Sequence, residues 1–409
     1  MTKIAILSAI LLLWRGVLPL KLKLKWKLPV AVLAVIVAFK FKIIQLIGGN
    51  YFSPELPAWV LIFAAFIYIS AFIFMFICAI TDTFLLGHTA GSVLCLFLKE
   101  KKFDYRRLFR AHPWLNKVHL LNLVLGMLLA VIGMGYGLAQ PRIRQLDLYF
   151  DDLPQEAENF TITHLSDLHV DNVNNKARIS RIVALANTLD PDVVCITGDF
   201  ADGTKAHHLE ALSVLSSLRS RYGTFAVPGN HEYYSGYRIL TRHLEKTGLH
   251  MLYNDRILIP DRKIWICGVT DPQARRFPSE TKPDVKKALS GLPENEFKLF
   301  LAHQPKLLRQ SVKYGADLQL SGHTHGGMMW GFDRIVAAGN GGFAWGERKI
   351  KDTIVVISNG TCMWSGFPLR LGHPAEILLI RLKKNSPGHR NQVVFSGSDA
   401  EKCENTLKK

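Results

Sequence analysis

Phe160–His169, FTITHLSDLH, is the stretch on which the reading of this chain turns. Its first half, Phe160–Leu165, is a short apolar run of strand composition. It stops abruptly at Ser166-Asp167-Leu168-His169, two metal-competent side chains one residue apart. The same punctuation recurs downstream. Val193–Thr197 runs into Gly198-Asp199, and Thr224–Val227 leads to Gly229-Asn230-His231-Glu232. Lys298–Ala302 ends at His303, and Leu318–Leu320 runs into Gly322-His323-Thr324-His325. Each apolar run therefore delivers a carboxylate, an amide or an imidazole at the point where strand becomes loop. One such junction is common; five in order form a constellation.

Working outward, Ile264–Val269, Ile354–Ser358 and Glu376–Leu382 read as further strands. Arg178–Thr188, Leu209–Arg219 and Gly236–Thr247 carry helical periodicity. Strands alternating with helices predict an α/β layered domain whose ligands gather at the strand ends. The polar stretch Ser386–Lys409 reads as a tail.

These blocks (D-x-H, GD, GNHE, H and GH-x-H) resemble the calcineurin-like metallophosphoesterase superfamily, and the match extends from about Thr161 to Leu382. Gly360–Glu376, with Pro368-Leu369-Arg370, further resembles a bacterial membrane-linked branch that includes hydrolases of UDP-diacylglucosamine-type lipid precursors. The resemblance implies a four-layer αββα sandwich over residues 155–385. It implies that Asp167, His169 and His325 hold one metal, that Asn230, His303 and His323 hold a second, and that Asp199 bridges them. His231 is implied as the catalytic group beside the metals, with Glu232 orienting a histidine. Carboxylate, amide and imidazole donors without thiolate suit two divalent first-row ions: manganese, iron or zinc. The implied reaction is cleavage of a phosphomonoester, phosphodiester or pyrophosphate bond by in-line attack of metal-bound hydroxide.

Other residues are weighed singly. His164 reads as a strand histidine, and Asp202 as either a partner of the site or a turn cap. His207 and His208 read as a solvated helix start, and Asp271 has no assigned role. Arg370 is a candidate phosphate contact. The aromatic stretch Trp330–Trp345 reads either as an apolar lip for an acyl chain or bilayer, or as a connection packed on its own domain.

The first 150 residues differ in kind. They hold 17 of the 50 lysines and arginines but only 5 of the 33 acids, so most of the net charge of +17 lies between apolar stretches. That placement reads as a topology signal, and nucleic-acid binding is not expected. About four membrane spans are expected within residues 1–145: Ile4–Leu20, Leu28–Ile47, Pro57–Ile80 and Val118–Leu138. Phe84–Leu98 either continues the third or lies in the interface. No small-residue cleavage site follows the first segment, so it reads as a retained anchor. The basic runs Lys21–Lys27 and Lys99–Lys117 belong on the cytoplasmic side, which places everything after Gln140 outside the cell membrane. Of the six cysteines, none forms a CxxC pair, and neither a disulfide framework nor a thiolate zinc site is expected.

The expected protein is thus a multi-pass, membrane-anchored phosphohydrolase acting at the outer face of a bacterial membrane, with a lipid-linked or envelope phosphoester as leading substrate. A broad phosphodiesterase for nucleotides or phosphoproteins is the alternative enzyme. A membrane receptor that keeps a silent metal domain is the alternative from another class.

Overall fold

The computed structural model describes residues 2–17, 23–47, 56–98 and 113–385. The chain divides into two units, Met1–Gly135 and Tyr136–Lys409. The Gly48–Glu55 link, most of the basic run Lys99–Lys117 and the Ser386–Lys409 tail lie outside the described residues.

The first unit is helical. Thr2–Leu11 runs into a π-helical turn at Leu12–Val17, and Leu24–Ile47 follows with Pro29 inside it. Ala58–Leu98 is one continuous helix, so Phe84–Leu98 continues the preceding span. Pro113–Leu138 is the fourth described helix of this unit's stretch of chain. Among the described residues, two stretches are long and apolar enough to cross a membrane, Ala58–Phe84 and Lys117–Leu138. The sequence led to an expectation of about four. Lysines at 25, 27, 40 and 42 fall within the second helix, and the first is only 10 residues long before its π turn. Polar groups link the two qualifying stretches: Asn122 Nδ2 donates to Thr81 Oγ1 at 3.2 Å, and Cys78 Sγ lies 3.6 Å from His119 Nδ1. Such contacts fix the register of paired apolar helices, whose surfaces are otherwise interchangeable with lipid.

The second unit is built on twelve described strands: β1 Arg142–Phe150, β2 Thr161–Leu165, β3 Val193–Thr197, β4 Thr224–Val227, β5 His250–Met251, β6 Asp255–Ile259, β7 Ile264–Gly268, β8 Phe297–Leu301, β9 Leu318–Ser321, β10 Gly346–Ile350, β11 Thr353–Ile357 and β12 Glu376–Lys384. They form two six-stranded sheets, ordered β1-β12-β2-β3-β4-β5 and β10-β11-β9-β8-β7-β6. The side-chain period of two explains why these strands read as unbroken apolar runs. Val193 and Cys195 of β3 enter the core between the sheets, while Val194 and Ile196 enter a second core under the helices Lys176–Asn187, Ala206–Ser213 and Tyr237–Lys246. On the other sheet, Phe297, Leu299 and Leu301 of β8 point into the shared core. Phe300 points out against Val285, Ala288 and Leu289 of the helix Val285–Leu289. Ile354 and Val356 of β11 face in, and Val355 and Ile357 pack outward on Leu308. Helices, sheet, sheet and helices are therefore separated by three apolar cores, each fed by alternate residues of the same strands.

Strand β1 was not legible as a strand from its sequence. It directly follows an apolar helix, and its alternation buries only Leu148 and Phe150 fully. Its pairing is supplied from the far end of the chain, parallel to β12 in register Arg142↔Glu376. Arg144 fixes that register, donating to Glu376 Oε2 at 2.9 Å and Glu347 Oε2 at 3.1 Å. β2, β3 and β4 are parallel neighbours in one sheet, and β8 and β9 are parallel neighbours in the other. Their C-terminal ends carry all five sequence blocks.

Candidate metal centre

The strand ends converge because the loops leaving them are held by backbone contacts between neighbours. The Asp167 N–H donates to Gly198 O at 3.0 Å, and the His169 N–H to Asp199 O at 2.9 Å. The Gly322 N–H donates to His303 O at 2.9 Å. Asp167, His169, Asp199, His323 and His325 all have positive φ, between 45° and 73°. Non-glycine residues rarely take this left-handed region, and a concentration of them marks a place where geometry is imposed for function. Gly322 shows why the turn is so tight: a Cβ there would run into Ser166 Oγ and the Asp167 carboxylate.

Two groups of ligand atoms follow the implied ligand sets, and a third, His169–Asp199–His231, overlaps both. In the first, His325 Nε2 lies 3.5 Å from Asp167 Oδ1, His169 Nε2 lies 3.8 Å from the same oxygen, and the two imidazole nitrogens are 3.2 Å apart. In the second, His303 Nε2 lies 3.2 Å from Asp199 Oδ2, 3.2 Å from His323 Nδ1 and 3.0 Å from Asn230 Oδ1. Asp199 Oδ2 is also 3.8 Å from His169 Nε2, so a single carboxylate reaches both groups. Asp167–His169–His325 and Asp199–His303–His323 each offer three ligand atoms within 4.8 Å of one another. The structure thus brings together all seven residues that the resemblance implied as ligands.

The donor set fits divalent cations. Burial, reinforced by charge on neighbouring His303, lowers the pKa of His323 to about 3. Burial likewise takes His325 to about 3, with His169 and Arg370 adding to the effect. Both rings are therefore neutral at pH 7 and carry the lone pairs that ligation requires. Burial pushes the Asp199 carboxyl upward, but the charges of His303, His231 and His169 outweigh it and hold the group well below the carboxylate range. Asp167 is likewise held low against burial, by its imidazole neighbours His325, His169 and His303. Two ionised carboxylates, an amide oxygen and the neutral rings of His323 and His325 offer donors to a cation, while His169 and His303, whose pKa values the neighbouring carboxylates raise against burial, release a proton on ligation.

His231 sits beside these groups. Its backbone N–H donates to Asp199 Oδ1 at 2.9 Å, and its Nε2 lies 3.9 Å from Asp199 Oδ2. Its Nδ1 makes a short hydrogen bond to Asp202 Oδ1, and the other Asp202 oxygen lies 3.2 Å from His169 Nδ1. Asp202 is thus no turn cap: one carboxylate orients a prospective ligand and the group next to it. Replacing Asp202 by asparagine is expected to lower kcat or metal affinity by roughly 10–100-fold. Steady-state rates and metal titrations of the two proteins check this. The three-residue spacing Gly198-Asp199…Asp202 was the available signal.

Glu232 does not orient a histidine, contrary to the sequence expectation. Its carboxylate accepts from the N–H groups of Gly229 (2.7 Å), Asp199 (3.0 Å), Phe200 (2.7 Å) and Ala201 (3.4 Å). It welds the Gly198-Asp199 loop to the start of the helix Asn230–Ser235. Burial, reinforced by the Asp199 charge, raises its pKa to about 7. Glu232→Ala would leave these buried donors unmet and is expected to destabilise the fold by about 4 kcal/mol or more. Thermal unfolding of the detergent-solubilised full chain reads that loss.

Arg370 is also reassigned. It is fully buried and donates to the carbonyls of Asn359 (2.6 Å), Gly360 (3.0 Å), Cys362 (3.0 Å) and His373 (3.2 Å), clamping the Asn359–His373 segment beside His325. It is a positioning group and no phosphate contact. His164 is a buried strand histidine bonded to Thr197 Oγ1 at 2.8 Å. His208 is buried, so the helix start at Ala206 is not wholly solvated. Asp271 caps its own turn through the Gln273 N–H and accepts from Gln304 Nε2 at 2.8 Å. Two aromatic residues that the sequence reading passed over flank His231: Tyr234 at 5.7 Å and Trp364 at 6.1 Å between ring centroids.

The family model for the calcineurin-like phosphoesterases matches residues 160–327. A metallophosphoesterase of Helicobacter pylori is 35% identical over 266 residues, covering 64% of this chain and 70% of its own length. The chain belongs to the calcineurin-like metallophosphoesterases. A transmembrane protein with metallophosphoesterase domain from Danio rerio is 31% identical over 277 residues, 64% of this chain and 62% of that relative. Among solved structures, a dimetal phosphatase from Danio rerio aligns at 12% identity and a TM-score of 0.32, over 50% of this chain and 88% of that one. As a metallophosphoesterase, the chain is a hydrolase of phosphoester bonds.

Proposed function

We propose that this metallophosphoesterase is a membrane-anchored, dinuclear phosphohydrolase acting on a lipid-linked or envelope phosphoester. The observation that carries the dinuclear reading is Asp199, whose one carboxylate oxygen lies 3.2 Å from His303 Nε2 and 3.8 Å from His169 Nε2. Asp167, His169 and His325 would hold one divalent ion, and Asn230, His303 and His323 the other, with Asp199 shared. Manganese, iron and zinc all suit these donors. Bound there, two such ions supply Lewis acidity that activates a water and offsets charge on the phosphoryl oxygens.

The chain's own groups do the rest. Asp202 holds His231 by Nδ1, leaving Nε2 turned toward Asp199. Burial lowers the His231 pKa, but the Asp199 and Asp202 carboxylates outweigh it and the net shift is upward. That shift favours the protonated ring, and with Nδ1 held by Asp202 a proton on Nε2 would be the one offered to the leaving oxygen. Tyr234 and Trp364 beside it shape where the leaving group lies.

Anchoring rests on Ala58–Phe84 and Lys117–Leu138. In this reading residues 1–145 are the membrane region and 155–385 the catalytic domain. With the basic connections cytoplasmic, the domain lies on the outer side of the cell membrane. Tethering raises the effective concentration of bilayer substrates. Lipid and nucleotide profiling of cells lacking the protein tests the substrate class. Accumulation of a phosphorylated lipid or envelope precursor is expected. A change confined to soluble nucleotides would favour the broad phosphodiesterase instead. Reporter fusions after Gln140 test the side.

A further inference from the structure

The aromatic stretch Trp330–Trp345 divides in two. Phe343 is buried and Trp345 stacks on His373 with ring centroids 4.0 Å apart, so this part packs on its own domain. Trp330 is 71% exposed and Ile335 61% exposed. They lie on the loop and short helix Phe332–Ala338, which has no buried residue. Asp333 turns back to accept the Gly331 N–H at 2.8 Å, and Arg334, next to Ile335 in sequence, is exposed. Two large apolar side chains are thus left in water on one short segment with a basic residue in it.

Contacts within the catalytic unit say what covers it. The chain enters this unit through Tyr136–Leu138, the last turn of the span-length stretch Lys117–Leu138. Arg178 caps that end, donating to the carbonyls of Leu138 (2.5 Å) and Ala139 (2.6 Å). Gly137 lies directly against the Pro368–Leu369 peptide, where any Cβ would collide. Three residues further along, Leu371 O accepts from the Trp330 N–H at 3.0 Å, and the Leu371 N–H donates to Met328 O at 2.8 Å. At most about 11 Å of chain separates Pro368 from Leu371. Trp330 is thereby held close to the helix exit, where Tyr136 is itself half exposed. Tryptophan and tyrosine at such an exit partition to the headgroup level of a bilayer, and basic side chains nearby favour anionic lipid.

We infer that Trp330 and Ile335 insert into the interface of the same membrane leaflet from which Lys117–Leu138 emerges. This seats the catalytic unit on the lipid surface as well as tethering it. The segment begins at Trp330, five residues after His325, so seating sets the distance from headgroups to the metal centre. The inference rests on the proposed membrane anchoring.

Site-directed spin labelling of the full chain in phosphatidylethanolamine–phosphatidylglycerol vesicles tests it. Cysteines are introduced singly as Ile335→Cys, Ile239→Cys and Val131→Cys, with Cys95 and Cys403 changed to serine; the described cysteines are buried. Ile239 (54% exposed) reports water and Val131 (58% exposed, within Lys117–Leu138) reports the span. The ratio of oxygen to nickel-chelate accessibility at 335 is expected to exceed that at 239 by at least about threefold. A lipid-like Val131 with 335 as aqueous as 239 would overturn the seating and leave the anchoring intact. Shielding of 335 from both reagents would mean a protein covers it, and would also overturn the seating. An aqueous Val131 would sink the anchoring and this inference with it.

Discussion

Asp199→Asn is expected to reduce phosphodiester turnover by roughly 10³-fold, equivalent to about 4 kcal/mol of transition-state stabilisation. It should also lower the number of transition-metal ions held per chain. The size of the effect follows from the position of the carboxylate. Asp199 Oδ2 stands between His169 Nε2 and His303 Nε2, and Asp199 Oδ1 accepts the His231 N–H at 2.9 Å. An amide keeps the shape and the acceptor but removes the charge that draws two dications together. Its NH₂ group would also face ring nitrogens that need a lone-pair partner or a metal. Turnover of an aryl phosphodiester with metal supplied, beside elemental analysis of the purified protein, measures both effects. Equal and negligible turnover in wild type and variant would instead support a binding protein that has kept a metal domain.

His231→Ala is expected to act differently. Metal content should be retained, because the residues of both ligand groups remain, while kcat falls about 10²–10⁴-fold. The loss should shrink for substrates whose leaving group is a good one, since a nitrophenolate needs little protonation. The sign of the pH effect follows from the upward shift of His231, caused by Asp199 and Asp202 against the opposing effect of burial. An acid must be protonated, so wild-type kcat should decline as pH rises through that elevated pKa. The alkaline decline should be absent in His231→Ala. A variant that kept the alkaline limb would assign that limb to another group, and one that lost its metals would assign His231 to ligation.

How much of this was legible in the sequence depends on the range of the contacts. The residues of the site sit at the ends of apolar runs, and a run's end is a local signal. Once the strands are parallel neighbours, their C-terminal ends are forced together, so Asp167, Asp199, Asn230, His303, His323 and His325 meet without further information. What could not be read is what the other polar groups bond to. Glu232 spends its carboxylate on N–H groups of the Gly198–Ala201 turn, some 30 residues away in sequence. Arg370 looked like a phosphate contact because an isolated arginine near a site so often is one. Its surroundings, a ring of carbonyls, exist only in the fold. β1 was hidden for a related reason: its partner β12 lies more than 200 residues downstream, and its own alternation abuts an apolar helix. The membrane region was the reverse case. Its apolar stretches are plain in the sequence, but lysines within Leu24–Ile47 and a short first helix leave two described stretches that meet the length and hydropathy needed to cross a bilayer.

The proposed phosphohydrolase stands most directly on a two-ion centre. Stripping the full chain with a chelator and titrating manganese back, with bound ions and aryl phosphodiesterase rate followed together, tests it in one measurement. Activity should be absent from the stripped protein and should rise mainly as the second ion per chain binds. Full activity with no ion or with a single ion bound, or failure of the stripped protein to take up metal at all, would contradict it.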